Sequence, residues 1–319
     1  MNILNIPVYD FSCSHSGPIK IKNVPDYILS QSPDVVNFLG FEECDFFFEI
    51  DFDYFNFFSS HNIRANFCLG LAESNPIYHN PSKNCYLFID PFFHLSRAFR
   101  SYSINLYNSR CEPFFYKIMS LTYRPRDHRC MLLDNLSKRN LIRNNAISFN
   151  NKLPRFYRFE HWTPTHLCLP SQRFFLAADQ WKIPYEWQLS FLHIVPESSI
   201  DLLYFTEKVW GPILGAKLFL VQGKSGFHKK LVEMGFVLYD EIIDYRFDSI
   251  EDDEERLVAM LDQAEQLINR NDDISIYNQI ESKLRHNQLH AMKLAVTPAC
   301  IDIPKSVRDY YNNRVLQIY

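Results

Sequence analysis

HIVPESSIDLLYFTEKVWGPILGAKLFLVQG, residues His193 to Gly223, reads as strand, loop, helix, strand. His193 to Val195 closes an apolar run, and Pro196 stops it. Glu197-Ser198-Ser199 is a polar turn. Phe205-Thr206-Glu207-Lys208 opens a helix whose Val209, Trp210, Ile213 and Leu214 share one face. Leu218 to Val221 is a short apolar strand ended by Gly223. The free N–H groups of a helix that follows a strand and a polar loop favour an anion, and the helix dipole adds to this. Two carboxylates, Glu197 and Glu207, and the ammonium of Lys208 sit at that mouth. Carboxylates beside an anion site suit a ligand that also carries hydroxyls, as the ribose of a sugar nucleotide does.

Composition narrows the classes. A chain of 319 residues has room for two ordinary domains, and an apolar share of 47% is globular. With 8 glycines it has neither a GxGxxG nor a GxxxxGK[ST] loop. A net charge of -4 gives no general attraction to nucleic acid or anionic membrane. The 8 cysteines form no CxxC pair, so free thiols in a reducing compartment are expected, and no disulfide framework. No apolar run reaches the roughly 18 residues of a membrane helix. MNILNIPVYDF lacks the basic and apolar blocks of a signal peptide. The expectation is a soluble cytoplasmic protein.

Upstream, strands are predicted over 2–11, 35–39, 44–58, 65–71 and 86–90. In 44–58, Phe48, Ile50, Phe52 and Tyr54 alternate with Glu49, Asp51 and Asp53. Glu73 follows the strand at 65–71, at the edge where open α/β sheets bind ligands. A second unit begins at Phe114 with the strand FFYKIMSL. The basic loop TYRPRDHR follows, with Arg124, Arg126, His128 and Arg129, and then a helix over 130–141. Planar guanidinium forks pair with diphosphate oxygens, so Arg124, Arg126 and Arg129 are candidate ligands for one. His128 reads as a surface histidine at a helix start. Residues 144–180 read as an irregular insertion. Helices are expected over 226–236, 251–269 and 275–287, a short strand over 237–240, and a proline-bearing tail over 291–319. Strands alternating with helices in both halves indicate two α/β domains facing across a cleft. We place them at 1–113 and 114–290, with the tail 291–319 packing back on the first.

Glu197-Ser198-Ser199 followed by Tyr204-Phe205-Thr206-Glu207-Lys208 resembles the donor-site motif of the α-1,3-fucosyltransferases and their bacterial relatives, F-x-F-E-N-S and then Y-V-T-E-K. Ile194 and Pro196 stand where that family has Phe, and Ser198 where it has Asn. The resemblance implies a GT-B fold of two Rossmann-like domains whose C-terminal half binds a sugar nucleotide. By position, Glu197 and Glu207 would hold hydroxyls and Lys208 would meet the diphosphate, with Ser198 and Thr206 in the same loop. Met119 to Arg129 is similar to the family's strand and arginine loop. Glu73-Ser74-Asn75-Pro76 is similar to its E-S-P loop, with one inserted Asn, which would make Glu73 the catalytic base. The likeness spans roughly residues 65–240 and extends to phage and bacterial transferases that share the C-terminal half.

The implied activity is transfer of a sugar from a nucleotide diphosphate to an acceptor hydroxyl. No cofactor or metal is needed, because arginines, a lysine and helix N-termini can stabilise the leaving diphosphate. The acceptor could be a glycan, another hydroxyl-bearing molecule or a hydroxylated base in DNA. One alternative is a non-catalytic binding module of the same fold. Another is a metal-dependent single-domain transferase using Asp51 and Asp53 as a D-x-D pair. His61, His79, His94 and His161 show no ligand spacing.

Overall fold

The computed structural model describes residues 2–7, 24–41, 54–69, 85–89, 95, 98, 113–122, 126–149, 159–161 and 185–296. Glu73, Arg124, Asp51, Asp53 and the tail beyond Val296 lie outside the described residues. The chain divides into two compact units, Met1–Phe93 with Thr297–Tyr319, and His94–Val296. Both are mixed α/β with parallel sheets.

In the first unit, strands β1 (Ile3–Pro7), β2 (Val35–Phe41), β3 (Arg64–Leu69) and β4 (Cys85–Ile89) pair in sequence order. Helices α1 (Val24–Gln31) and α2 (Tyr54–Ser60) lie in the first two crossovers. Both crossovers step the same way across the sheet, so right-handed connections put both helices on one face. Helix α2 corrects the expectation of one strand over 44–58. Its aromatics fall at helical spacing, with Phe57 and Phe58 buried while Ser59 and Ser60 face solvent.

In the second unit the sheet order is β6-β5-β7-β8, from β5 (Tyr116–Thr122), β6 (Ala146–Phe149), β7 (Ser190–Pro196) and β8 (Leu218–Gln222). The crossover from β5 to β6 runs one way and that from β7 to β8 runs the other. Their helices, α3 (Asp127–Lys138) and α4 (Glu207–Leu214), therefore cover opposite faces. Helix α5 (Phe227–Glu233) follows β8. Helix α6 (Asp253–Ile268) joins the α3 side, where Arg139 pairs with Asp262 at 2.7 Å and Glu265 at 2.5 Å. Helix α7 (Asp273–Val296) joins the α4 side, where Gln288 Nε2 donates to Leu214 O at 2.7 Å. Every residue of β7 and β8 is buried, which explains their unbroken apolar reading. Val209, Trp210, Ile213 and Leu214 of α4 are buried together, as their spacing predicts.

Four expectations for this unit change. Strand β6 lies inside the stretch read as irregular. Helix α3 begins at Asp127, so His128 and Arg129 belong to its first turn. Residues 237–240 form no strand. The side-chain amide of Asn287 takes both backbone groups of Val237, accepting from N and donating to O at 2.8 Å each, in place of a strand neighbour. Helix α7 runs to Val296, beyond the expected Asn287. Asn287 and Gln288 are polar but buried and bonded, so the buried stripe continues through them to Ala291 and Ala295. Among the described residues, no helix is long and apolar enough to cross a membrane.

Tyr277 on α7 ties this helix to the sheet. Its hydroxyl donates to Phe191 O at 2.8 Å and accepts from Leu218 N at 3.1 Å, spanning the mouth of the β7–β8 ladder. Tyr277→Phe should therefore orphan two buried backbone groups and cost about 2 kcal/mol in urea unfolding. A loss below about 0.5 kcal/mol, the scatter of neutral surface changes, would show that the hydroxyl bears no strain of the fold.

Candidate functional site at the carboxyl ends of the second sheet

Where strand order reverses, the loops leaving two neighbouring strands part in opposite directions and open a crevice at their carboxyl ends. In the second unit that point lies between β5 and β7. Helix α3 starts beside it on one face and α4 on the other. The loop after β7, Glu197 to Phe205, lies between their N-termini.

Glu197 is the pivot of this loop. It has no exposed surface. Its Oε1 accepts from Thr206 N at 3.1 Å, and its Oε2 accepts from Ser198 N at 3.0 Å and Thr206 Oγ1 at 2.5 Å. Burial pushes the Glu197 carboxyl up from its ordinary value. The Lys208 charge and the Thr206 hydroxyl pull it back, and Glu207 adds to the rise. Its backbone is held as firmly, since its N–H donates to Gln222 O at 3.1 Å. Its carbonyl accepts from His128 Nε2 at 2.9 Å and from Arg129 Nε and Nη2 at 3.2 and 3.0 Å. Gln222 Nε2 in turn donates to His128 O at 2.7 Å. Three separate segments, the first turn of α3 and the ends of β7 and β8, are thereby closed into one ring.

The outer layer carries the charge. Thr206 is the N-cap of α4 and accepts from Lys208 N at 3.4 Å. Lys208 Nζ donates to Glu207 Oε1 at 2.6 Å, Ser198 Oγ at 3.0 Å and Thr206 Oγ1 at 3.3 Å. Arg126 reaches across from the start of α3 and donates from Nη1 to Ser198 O. The side chains of Lys208 and Glu207 are 25% and 31% exposed, so an incoming ligand can reach both. Of the residues singled out from the sequence, Arg126, Arg129, Glu197, Ser198, Thr206, Glu207 and Lys208 come together here. They divide into a buried frame of Arg129, Glu197, Ser198 and Thr206 and an accessible rim of Arg126, Glu207 and Lys208. The arrangement can hold a compact anion between Lys208, Arg126 and the α4 N-terminus, with Glu207 beside it as a hydroxyl acceptor.

Two members were missed in the sequence. His128 is buried and bonded, which corrects its reading as a surface residue. Burial lowers it to about 4; the bond to the Glu197 carbonyl works against this, while Arg129, Arg126 and Lys208 add to the fall. It is therefore neutral near pH 7, and its Nε2 carries the proton given to that carbonyl. Gln222 left one signal, a lone polar residue closing the apolar strand LFLVQ. Elsewhere, Asp134, Glu160 and His161 bring metal-ligating atoms within 4.8 Å of one another. The Asp134 carboxylate there already accepts from Glu160 N at 3.0 Å and His161 N at 2.7 Å. Cys130 is a buried free thiol, raised to about 12 by burial.

The folded-state value of His128 lies below its unfolded one, so between about 4 and 6.5 the unfolded chain holds the extra proton. Stability is full above this window and falls as pH drops through it. Buried His193, lowered by desolvation and by Lys217, acts in the same sense. For His128 alone the loss from about pH 7 to about pH 5 is roughly 2 kcal/mol. Urea titrations should show that His128→Gln, which keeps a donor, loses less on acidification than wild type by about that amount. Equal losses would mean that His128 is not held neutral. Comparisons with family models, with curated proteins and with solved structures gave no match to this chain.

Proposed function

We propose that the protein is a glycosyltransferase that moves a sugar from a nucleotide diphosphate to an acceptor hydroxyl. The observation that carries the reading is the meeting of Arg126 and Lys208, from opposite faces of the sheet, on Ser198 at the strand-order reversal. Cations beside a helix N-terminus suit a leaving diphosphate, whose charge grows as the sugar bond breaks. Glu207 on the same rim suits a ribose or sugar hydroxyl. In this reading Arg126, Glu207 and Lys208 touch the donor. Arg129, Glu197, Ser198 and Thr206 position them.

The remaining parts of the proposal rest on the sequence. The fold would be GT-B, with Arg124 adding to the diphosphate contacts and Glu73 taking the acceptor's proton. The reaction needs no metal, since the cations of the rim supply the positive charge. The acceptor is a glycan or another hydroxyl-bearing molecule, and the setting is the cytoplasm.

A thermal-shift screen against sugar nucleotides should find one that raises the melting temperature, because a ligand of the native state stabilises it. Calorimetry with that donor should show that Lys208→Ala and Arg126→Ala each weaken binding by roughly 1–3 kcal/mol. Unchanged affinity in both variants would remove the donor from this site. Transfer should survive chelation by EDTA; activity restored only by manganese would point to Asp51 and Asp53 instead. Glu73→Gln should keep donor binding and lower transfer by roughly a hundredfold or more. Donor binding without any transfer by the wild type would favour the binding module.

A further inference from the structure

The rim ammonium and the buried carboxyl meet on one hydroxyl. Thr206 Oγ1 donates to Glu197 Oε2 at 2.5 Å and accepts from Lys208 Nζ at 3.3 Å. A continuous path of hydrogen bonds therefore joins a solvent-reached cation to an acid with no exposed surface. We infer that binding of a diphosphate at Lys208 is coupled, through the Thr206 hydroxyl, to uptake of one proton by Glu197. The inference rests on the donor site proposed above and adds its regulation by pH.

The physical reason is charge compensation. Two groups offset the cost of a buried Glu197 carboxylate, the Lys208 charge and the hydrogen bonds of Ser198 and Thr206. A diphosphate paired with Lys208 cancels the first of these. The ionised form of Glu197 then loses the Lys208 counter-charge while staying buried, and a proton from solvent restores neutrality. The protonated carboxyl donates to Thr206 Oγ1, the hydroxyl turns, and its own hydrogen points outward to the bound anion. One proton is taken up and no covalent bond to carbon changes. The other charged groups around Glu197 are Glu207 on α4, which opposes its ionisation, and Arg126 and Arg129 on α3. His128 stays neutral through the range concerned. Gln222, from β8, carries no charge.

The test uses UDP-glucose and GDP-fucose, whose phosphates are diesters and do not titrate between about pH 5.5 and 8.5. Wild-type affinity for the one that binds should rise as pH falls, by up to about tenfold per unit. Glu197→Gln, which keeps the shape without the titrating proton, should bind with an affinity independent of pH. Thr206→Val, which breaks the path and leaves Glu197 in place, should reduce the slope. Calorimetry on the wild type in PIPES and in Tris needs no variant, and should show net proton uptake on binding. Equal slopes in wild type and Glu197→Gln, or no net uptake, overturn the coupling and leave the donor site standing. Absence of binding by the wild type at every pH overturns both.

Discussion

A carboxyl group with no exposed surface stands just past the carboxyl end of β7, and its neighbours are arranged to satisfy it. Burying Glu197 unpaired would cost several kcal/mol, a large part of the whole stability of a domain. Its oxygens therefore take the N–H groups of Ser198 and Thr206 and the Thr206 hydroxyl. The same residue's carbonyl draws in His128 and Arg129, which explains why an arginine lies buried at the start of α3. The end of β7 is thus held by hydrogen bonds from the starts of both flanking helices.

The same device recurs beyond the end of β8. Asp248 accepts from His228 N at 3.0 Å and Lys229 N at 2.9 Å, capping α5 from the short 3-10 helix Tyr245–Ser249. His228 donates from Nδ1 to that carboxylate at 2.8 Å and, through Nε2, accepts from Val221 N at 3.3 Å. Arg256 donates to Gly223 O at 3.1 Å and Ile250 O at 2.7 Å. Gly223 itself admits no side chain, since a Cβ there would lie 2.6 Å from the Phe227 ring. Buried side chains thus stand in for missing backbone partners, as an interior without water requires. The ends of β7 and β8 held this way are in place before a ligand arrives, so less binding energy is lost to ordering them.

Much of this was legible from His193 to Gly223. Apolar runs buried on both faces announced β7 and β8, and Thr206 with an apolar stripe behind it announced α4. The rim residues Glu207 and Lys208 followed from their place at that helix start. Tyr54 to Ser60 differs from the expectation because its aromatics fit both an alternating and a helical spacing. Val237 to Asp240 and the end of α7 differ because partners distant in the chain decide them. Asn287 is the clearest case, a polar residue inside a helix whose amide replaces a strand neighbour for Val237.

By itself the sequence determined the class of fold and the polar character of the loop after β7, because hydrophobic periodicity and capping act over a few residues. It also placed a lysine and two glutamates at one helix mouth. The tertiary structure alone decided which of these charges meets solvent and which is sealed within. Glu197 and Glu207 are alike in type and ten residues apart. One is buried on Thr206 and the other pairs with Lys208 at the rim. That difference comes from the reversal of strand order, which brings α3 and β8 against Glu197 and leaves Glu207 open, and spacing along a chain does not encode it.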